Sequence, residues 1–235
     1  MSVRQLKRDL AAVANPNRAA FLASYFKTGP GQYGEGDRFL GIPVPVQRKI
    51  ALRYKDLPFS KIGRLLASPT HEHRFAAVEI LVAQYRRAAS DAQRNTVYDF
   101  YLDHTAGINN WDLVDTSAPY IVGEHLRSRD RGRLDDLAAS PVVWERRMAI
   151  ISTLTLIRHG EMDDAPRISE RLLSDSHDLI RKAVGWALRE TGKVSRPALL
   201  RFISDHYAGI SRTTLRYAIE RFPADLRAQI LAGGF

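Results

Sequence analysis

Three short stretches of this sequence set aromatic rings beside charged groups at helical spacing. The first is Asn109-Asn110-Trp111-Asp112-Leu113-Val114-Asp115, where Trp111 and Asp115 stand four residues apart and so share one helix face. An indole face and a carboxylate both favour positive charge beside them, and the two together are an unusual surface pair. On spacing alone the plainer arrangement is the better account: a tryptophan packed in the core, and an aspartate that caps the helix or forms a salt bridge.

The second stretch is Trp144-Glu145-Arg146-Arg147, with Trp144 and Arg147 three apart on one face. Its plain alternative is core packing for the ring and a salt bridge for the guanidinium. The third runs from Lys182 to Glu190 and places Lys182, Trp186 and Arg189 on one face. Basic groups beside an aromatic suit base stacking and phosphate contact, although a buried tryptophan meets the same pattern. Gly185, inside that helix, costs about 1 kcal/mol relative to alanine, which close approach of a neighbouring helix would explain.

Other chemistries find little support. The seven histidines form no His-x-x-x-His or His-Glu-x-x-His pair, and His71 and His73, two apart, diverge on a helix. No metal site and no organic cofactor are expected. There is no Gly-x-Ser-x-Gly elbow, and without cysteine there is no thiol nucleophile and no disulfide. Gly29-Pro30-Gly31-Gln32-Tyr33-Gly34-Glu35-Gly36 formally contains Gly-x-Gly-x-x-Gly, but a helical pattern precedes it and no strand–helix–strand unit follows, so it reads as a flexible connector.

These residues must be carried by helices. Apolar residues recur at three- and four-residue spacing from Val3 to Leu231, including His71–Arg87, Trp111–Leu126, Val142–Ile157 and Asp178–Glu190. Breaks carry turn chemistry at Asn15-Pro16, Ser68-Pro69, Ser140-Pro141 and Phe222-Pro223. Ser or Asn before Pro marks a helix start, since proline fits the first turn. A phrase of basic, any, Ala, apolar recurs around Ala76, Ala149, Ala183 and Ala218, at intervals of 73, 34 and 35 residues. The long interval is about twice the others, so a missing copy is expected in the helix that starts near Trp111.

A helix pair every 35 or so residues fits a solenoid of HEAT-like repeats, over residues 1–235 as one domain. The fold expected is all-α, a right-handed α-α superhelix whose concave face is basic. Arg147, Lys182 and Arg216 take equivalent repeat positions there and would form a stripe. The chain has 235 residues, a formal net charge of +9 and a pI of about 10.0. Such an excess favours a polyanionic partner, through counterion release and long-range steering. No apolar run approaches the roughly 20 residues that span a bilayer. The N-terminus lacks a signal-peptide core, so a cytoplasmic location is expected.

At these residues the sequence resembles the AlkD-type DNA alkylation repair family of HEAT-like DNA glycosylases, over nearly its whole length. The matching elements are Phe39-Leu40-Gly41-Ile42 with Pro45, Trp111-Asp112-x-Val114-Asp115, Trp144-x-x-Arg147-x-Ala149-Ile150, and Lys182-Ala183-x-Gly185-Trp186-x-Leu188-Arg189-Glu190. The resemblance implies that Asp115 is the catalytic aspartate and that Trp111 and Trp186 flank the lesion's deoxyribose. It implies that Tyr25 completes the cleft and that Arg147 contacts the DNA backbone. Lys182, Arg189 and Arg216 join it as expected DNA-binding residues. Two departures stand out: Asn110 replaces a second tryptophan that some members carry, and the 29–36 loop is longer than in some members.

The activity implied is hydrolysis of the N-glycosidic bond of N3- or N7-alkylated purines in duplex DNA, by a monomer and without a base-flipping pocket. Some relatives bind DNA without excising bases. A non-catalytic module for damaged or branched DNA, and a protein-binding scaffold, are the alternatives.

Overall fold

The computed structural model describes residues 2–234, and helices follow one another along almost all of them. Among the described residues there is no strand, only an isolated parallel bridge between Arg38 and Thr70. The chain divides into two units of dense internal packing, the first ending at Ile121 and the second beginning at Val122. No helix is long and apolar enough to cross a membrane among the described residues.

The first unit holds α1 (Val3–Ala11), α2 (Pro16–Tyr25), α3 (Val44–Leu52), α4 (Phe59–Leu66), α5 (His71–Arg87), α6 (Asp91–Asp103) and α7 (Trp111–Ala118). Its centre is α5, which packs on α3, α4, α6 and α7 and is buried on nearly every side. Side-chain caps start several of these helices. Asn15 accepts from the amide of Arg18, with Pro16 in the first turn, and Ser90 accepts from that of Gln93. The Ser68-Pro69 signal has another outcome. Pro69 O accepts from Arg38 N at 3.0 Å, Thr70 joins the bridge, and the helix begins only at His71.

The 29–36 loop is closed by hydrogen bonds of its own and to the turn that follows α2. Thr28 N donates to Ala23 O and Gly34 N to Lys27 O, both at 3.1 Å, and Gly31 N donates to Glu35 at 2.9 Å. Gly41 lies at φ +80°, and a Cβ there would stand 2.2 Å from Asn15 O. Only glycine therefore lets the 39–42 segment sit against the start of α2.

The second unit holds α8 (Glu124–Leu126), α9 (Gly132–Ala138), α10 (Val143–Arg158), α11 (Asp164–Arg171), α12 (Asp178–Val194), α13 (Arg196–His206), α14 (Arg212–Ala218) and α15 (Ala224–Leu231). α10 packs on α9, α11 and α12, and α12 on α13 and α14. A Cβ on Gly185 would lie 2.4 Å from Tyr217 Cβ and 2.6 Å from Thr214 O, so this glycine is what brings α12 and α14 together.

The recurrent alanines are anchors of packing: Ala76, Ala149, Ala183 and Ala218 are at most 1% exposed. In α7, where a copy is missing, Leu113 and Val114 are fully buried instead. The basic residues two positions before do not all face water. Arg74 and Arg147 are 3% and 5% exposed. A small residue lets the neighbouring helix approach, and the approach covers the arginine beside it. Of the three residues expected to form a stripe, Arg147 is covered in this way, whereas Lys182 is partly exposed and Arg216 exposed.

One expected helix changes its winding. Trp111–Leu126 is helical throughout, but after α7 the chain makes a π-helical turn, Pro119–Gly123, before α8. Pro119 has no N–H for the carbonyl of Asp115, four residues back, and its ring crowds that carbonyl. A wider turn relieves both.

Candidate active site

The site is built on the first turn of α7. Asn110, fully buried, accepts from Trp111 N at 2.8 Å and donates from Nδ2 to Asp37 at 3.3 Å. It thus does two jobs that a tryptophan could not. Asp112 Oδ1 accepts from Leu113 N at 2.9 Å, and a carboxylate in a first turn is favoured by the exposed amides there. Trp111 and Asp115 are both half-buried, and Leu113 and Val114 point into the core between them. This pattern opens one side of α7 to solvent and places the indole and the carboxylate on it, one turn apart.

An aromatic wall backs the indole. Phe26, 6% exposed, lies face to face with Trp111 at a centroid distance of 5.1 Å and an interplanar angle of 7°. Tyr25 meets Trp111 edge-on at 6.2 Å and remains 55% exposed. Phe21 follows one turn earlier on α2, 62% exposed, its ring 6.0 Å from that of Tyr25. Behind Phe26 stand Phe39 at 5.0 Å and the His71 imidazole at 5.1 Å, themselves stacked at 4.6 Å.

A buried charge cluster supports this wall. His71 donates from Nε2 to Asp112 at 2.8 Å and from Nδ1 to Asp37 at 3.1 Å. Arg74 grips Asp37 through Nη2 at 2.7 Å and donates from Nη1 to Ser68 O at 2.9 Å. Burial alone would push the His71 pKa down, but the Asp112 carboxylate and then the hydrogen bond to Asp37 outweigh it and raise it to about 9. Burial likewise works against an ionised Asp37, and the hydrogen bond from His71 and the charge of Arg74 hold its pKa below the usual carboxylate value. Beside this cluster the fully buried Glu72 accepts the amides of Leu40 and Gly41 at 2.9 and 2.8 Å, which fixes the 39–42 segment that carries Phe39.

Asp115 also makes itself felt within the core. The Tyr101 hydroxyl is held in its protonated form by burial and, further, by the charge of Asp115, although Ser117 at 2.8 Å works in the other direction.

The first unit thus brings Tyr25 and Trp111 into contact and sets Asp115 one turn along α7. The remaining expected residues lie in the second unit. Trp186 is half-buried and donates from Nε1 to Glu190 at 3.2 Å. Lys182 pairs with Asp178 at 2.7 Å, Arg189 pairs with Glu220, and Arg216 is exposed. Arg147 donates from Nη1 to Leu179 O at 2.6 Å, within the start of α12, which is why it is buried. Trp144, 7% exposed, belongs to the core, as the plainer account of its spacing has it.

Sequence reasoning gave no role to Phe26, Asp37, His71 or Asp112. The helix pattern held a hint, since α5 opens on His71, Glu72 and Arg74 directly before the apolar run Phe75–Val78. Ionisable groups in the first turn of a buried helix need partners.

Residues 6–222 match the family model described as DNA alkylation repair enzyme. None of the curated proteins matches the chain significantly. A solved structure described as a predicted DNA alkylation repair enzyme from Enterococcus faecalis superposes with a TM-score of 0.68. It shares 18% identity, with 90% of this chain and 97% of that chain covered, a likeness that shows a common fold.

Proposed function

Since this chain belongs to the DNA alkylation repair enzyme family, we propose that it is a DNA glycosylase, which hydrolyses the N-glycosidic bond of N3- or N7-alkylated purines in duplex DNA. The observation that carries this is the side of α7 that presents Trp111 and Asp115, with Tyr25 edge-on to the indole and Phe26 stacked behind it.

The chemistry suits such a site. Alkylation at N3 or N7 leaves the purine cationic, so the base departs without a strong general acid. The transition state lacks stabilisation of the oxocarbenium character that grows on the sugar. A fixed carboxylate supplies it by electrostatic preorganisation, worth roughly 3–4 kcal/mol by analogy with deletion of single stabilising groups elsewhere. Asp115 takes that role and orients the attacking water. The faces of Trp111 and Tyr25 hold the electron-poor sugar. Trp186 enters as the second flanking ring on the family resemblance. Most base-modifying enzymes flip the target into a pocket; here the lesion is handled through its backbone. Lys182, Arg189 and Arg216 supply phosphate contacts, and the +9 charge supplies attraction.

The test is release of 7-methylguanine or 3-methyladenine from methylated duplex DNA. Wild type releases the base, and Asp115→Asn lowers the single-turnover rate by roughly 10²–10³ while duplex binding persists. Salt-dependent binding with no base released by wild type would instead identify a DNA-binding module without chemistry. Absence of DNA binding at physiological salt would leave a protein scaffold.

A further inference from the structure

We propose that His71 is a positioning residue for Trp111 and Asp115, fixing the first turn of α7 through Asp112 and the back of Trp111 through Phe26. The role deepens the glycosylase reading and rests on it for its effect on rate. The geometry stands by itself.

Two chains of contact leave this one buried ring. Through Nε2, His71 holds Asp112 at 2.8 Å, and Asp112 is the neighbour of Trp111 and stands three residues before Asp115. Through its ring, tilted at 45°, His71 meets Phe26 at 5.1 Å, and Phe26 in turn stacks on Trp111 at 5.1 Å. Nδ1 is held by Asp37 at 3.1 Å, so the ring cannot turn without breaking a bond at one end or the other. Asp37 is itself clamped by Arg74 and Asn110, and Asn110 is the cap of α7. Displacing His71 therefore moves the cap, the second residue of the helix and the wall behind the indole together.

The cluster also settles charge. Asp112 and Asp115 lie one turn apart on α7, and two carboxylates so placed repel each other. His71 counters Asp112 from the interior, as Arg74 counters Asp37. The charged groups that face the imidazole are Asp37 from the loop before α3, Arg74 from α5 itself, 3.5 Å from Nδ1, and Asp112 from α7. A proton on both ring nitrogens matches two carboxylate acceptors, and the raised pKa agrees.

The decisive experiment pairs His71→Gln and Asp112→Asn, which remove the same tether from opposite ends. Single-turnover base release is measured alongside duplex affinity and thermal unfolding. Each variant is expected to lose about a hundredfold in rate, the scale set by ångström-sized misplacement of reacting groups. Duplex affinity should stay within about threefold, since phosphate contacts dominate it. The double variant should be no slower than either single one, as expected for one coupled pair.

A second readout needs no catalysis. With fluorotryptophan incorporated and the resonance of position 111 assigned by its loss in Trp111→Phe, that resonance should move as pH rises through about 9 in wild type and stay flat in His71→Gln. A flat wild-type resonance, or folded variants that excise at the wild-type rate, would overturn the proposal. If wild type releases no base but the resonance moves as expected, the glycosylase reading fails and the tether stands.

Discussion

Phe26 and Trp111 lie face to face, 5.1 Å between centroids and 7° from parallel, with Phe26 almost fully buried and Trp111 half-open to solvent. The indole therefore has one face committed to the core and Tyr25 edge-on to it, with part of its surface left open. A ring held in this way keeps its orientation when a ligand arrives, and the ordering cost is met on folding rather than on binding.

Removing the backing ring should release the indole. Phe26→Ala is expected to destabilise the fold by about 3–5 kcal/mol, as for buried phenylalanines generally. Phe26→Leu keeps most of the volume and should lose less than about 1.5 kcal/mol. Urea unfolding gives both numbers. At low urea, single-turnover excision by Phe26→Leu should fall more than its duplex affinity does.

Gly185→Ala is expected to destabilise, although alanine is the better helix former by about 1 kcal/mol. The new methyl would meet Thr214 O at 2.6 Å and Tyr217 Cβ at 2.4 Å, and backbone cannot yield as a flexible side chain can. Overpacking of this kind costs about 1–3 kcal/mol, so the two effects oppose and the clash dominates. A melting temperature equal to or above that of wild type would refute the close approach of α12 and α14.

The basic residues of the repeat should separate by role. Lys182→Ala and Arg216→Ala should each reduce the slope of log affinity against log salt by about 1. The Lys182–Asp178 pair is solvent-exposed and contributes little to stability. Arg147→Ala should instead lower stability by about 1.5–3 kcal/mol, the range for a hydrogen bond made by a charged group, because its guanidinium holds Leu179 O at 2.6 Å. Melting curves and salt titrations on the three variants sort them.

Stability should peak near pH 6.5. His71 has a raised pKa, from 6.5 to about 9, so its contribution is complete below pH 6.5 and is lost progressively as pH rises to about 9. His73 is the opposite case: burial, then Lys7 and Arg74, lower its pKa to about 4. Its neutral form stabilises the fold above pH 6.5, and that contribution is lost as pH falls towards 4. His71→Gln should flatten the alkaline limb and His73→Gln the acid limb of the melting temperature against pH.

Much of the fold was legible in the sequence, for a local reason. Helical spacing, proline in first turns and small side-chain caps act over a few residues: Phe59–Leu66 and His71–Arg87 stand where the pattern puts them, and the Pro16–Lys27 pattern starts on its proline but ends two residues early, at Tyr25. The need for glycine at 185 was also legible, since a costly residue inside a helix requires a reason. The wider turn after Ala118 was not, because periodicity runs on through Pro119 while the α-helical hydrogen bonds cannot.

The candidate site divides along the same line. Spacing by itself placed Trp111 and Asp115 on one face of one helix, and Lys182 and Trp186 on one face of another. Which face looks outward was decided by packing, which buried Leu113 and Val114 and left the indole and the carboxylate half-open. Tertiary structure alone made Trp144 a core residue, turned Arg147 inward onto Leu179 O, and gathered Asp37, His71, Arg74 and Asp112 from three parts of the chain. The physical reason is range. Periodicity and capping report on neighbours within a turn, whereas a buried charge must find its counter-charge wherever the fold brings one, here 34 and 41 residues from His71.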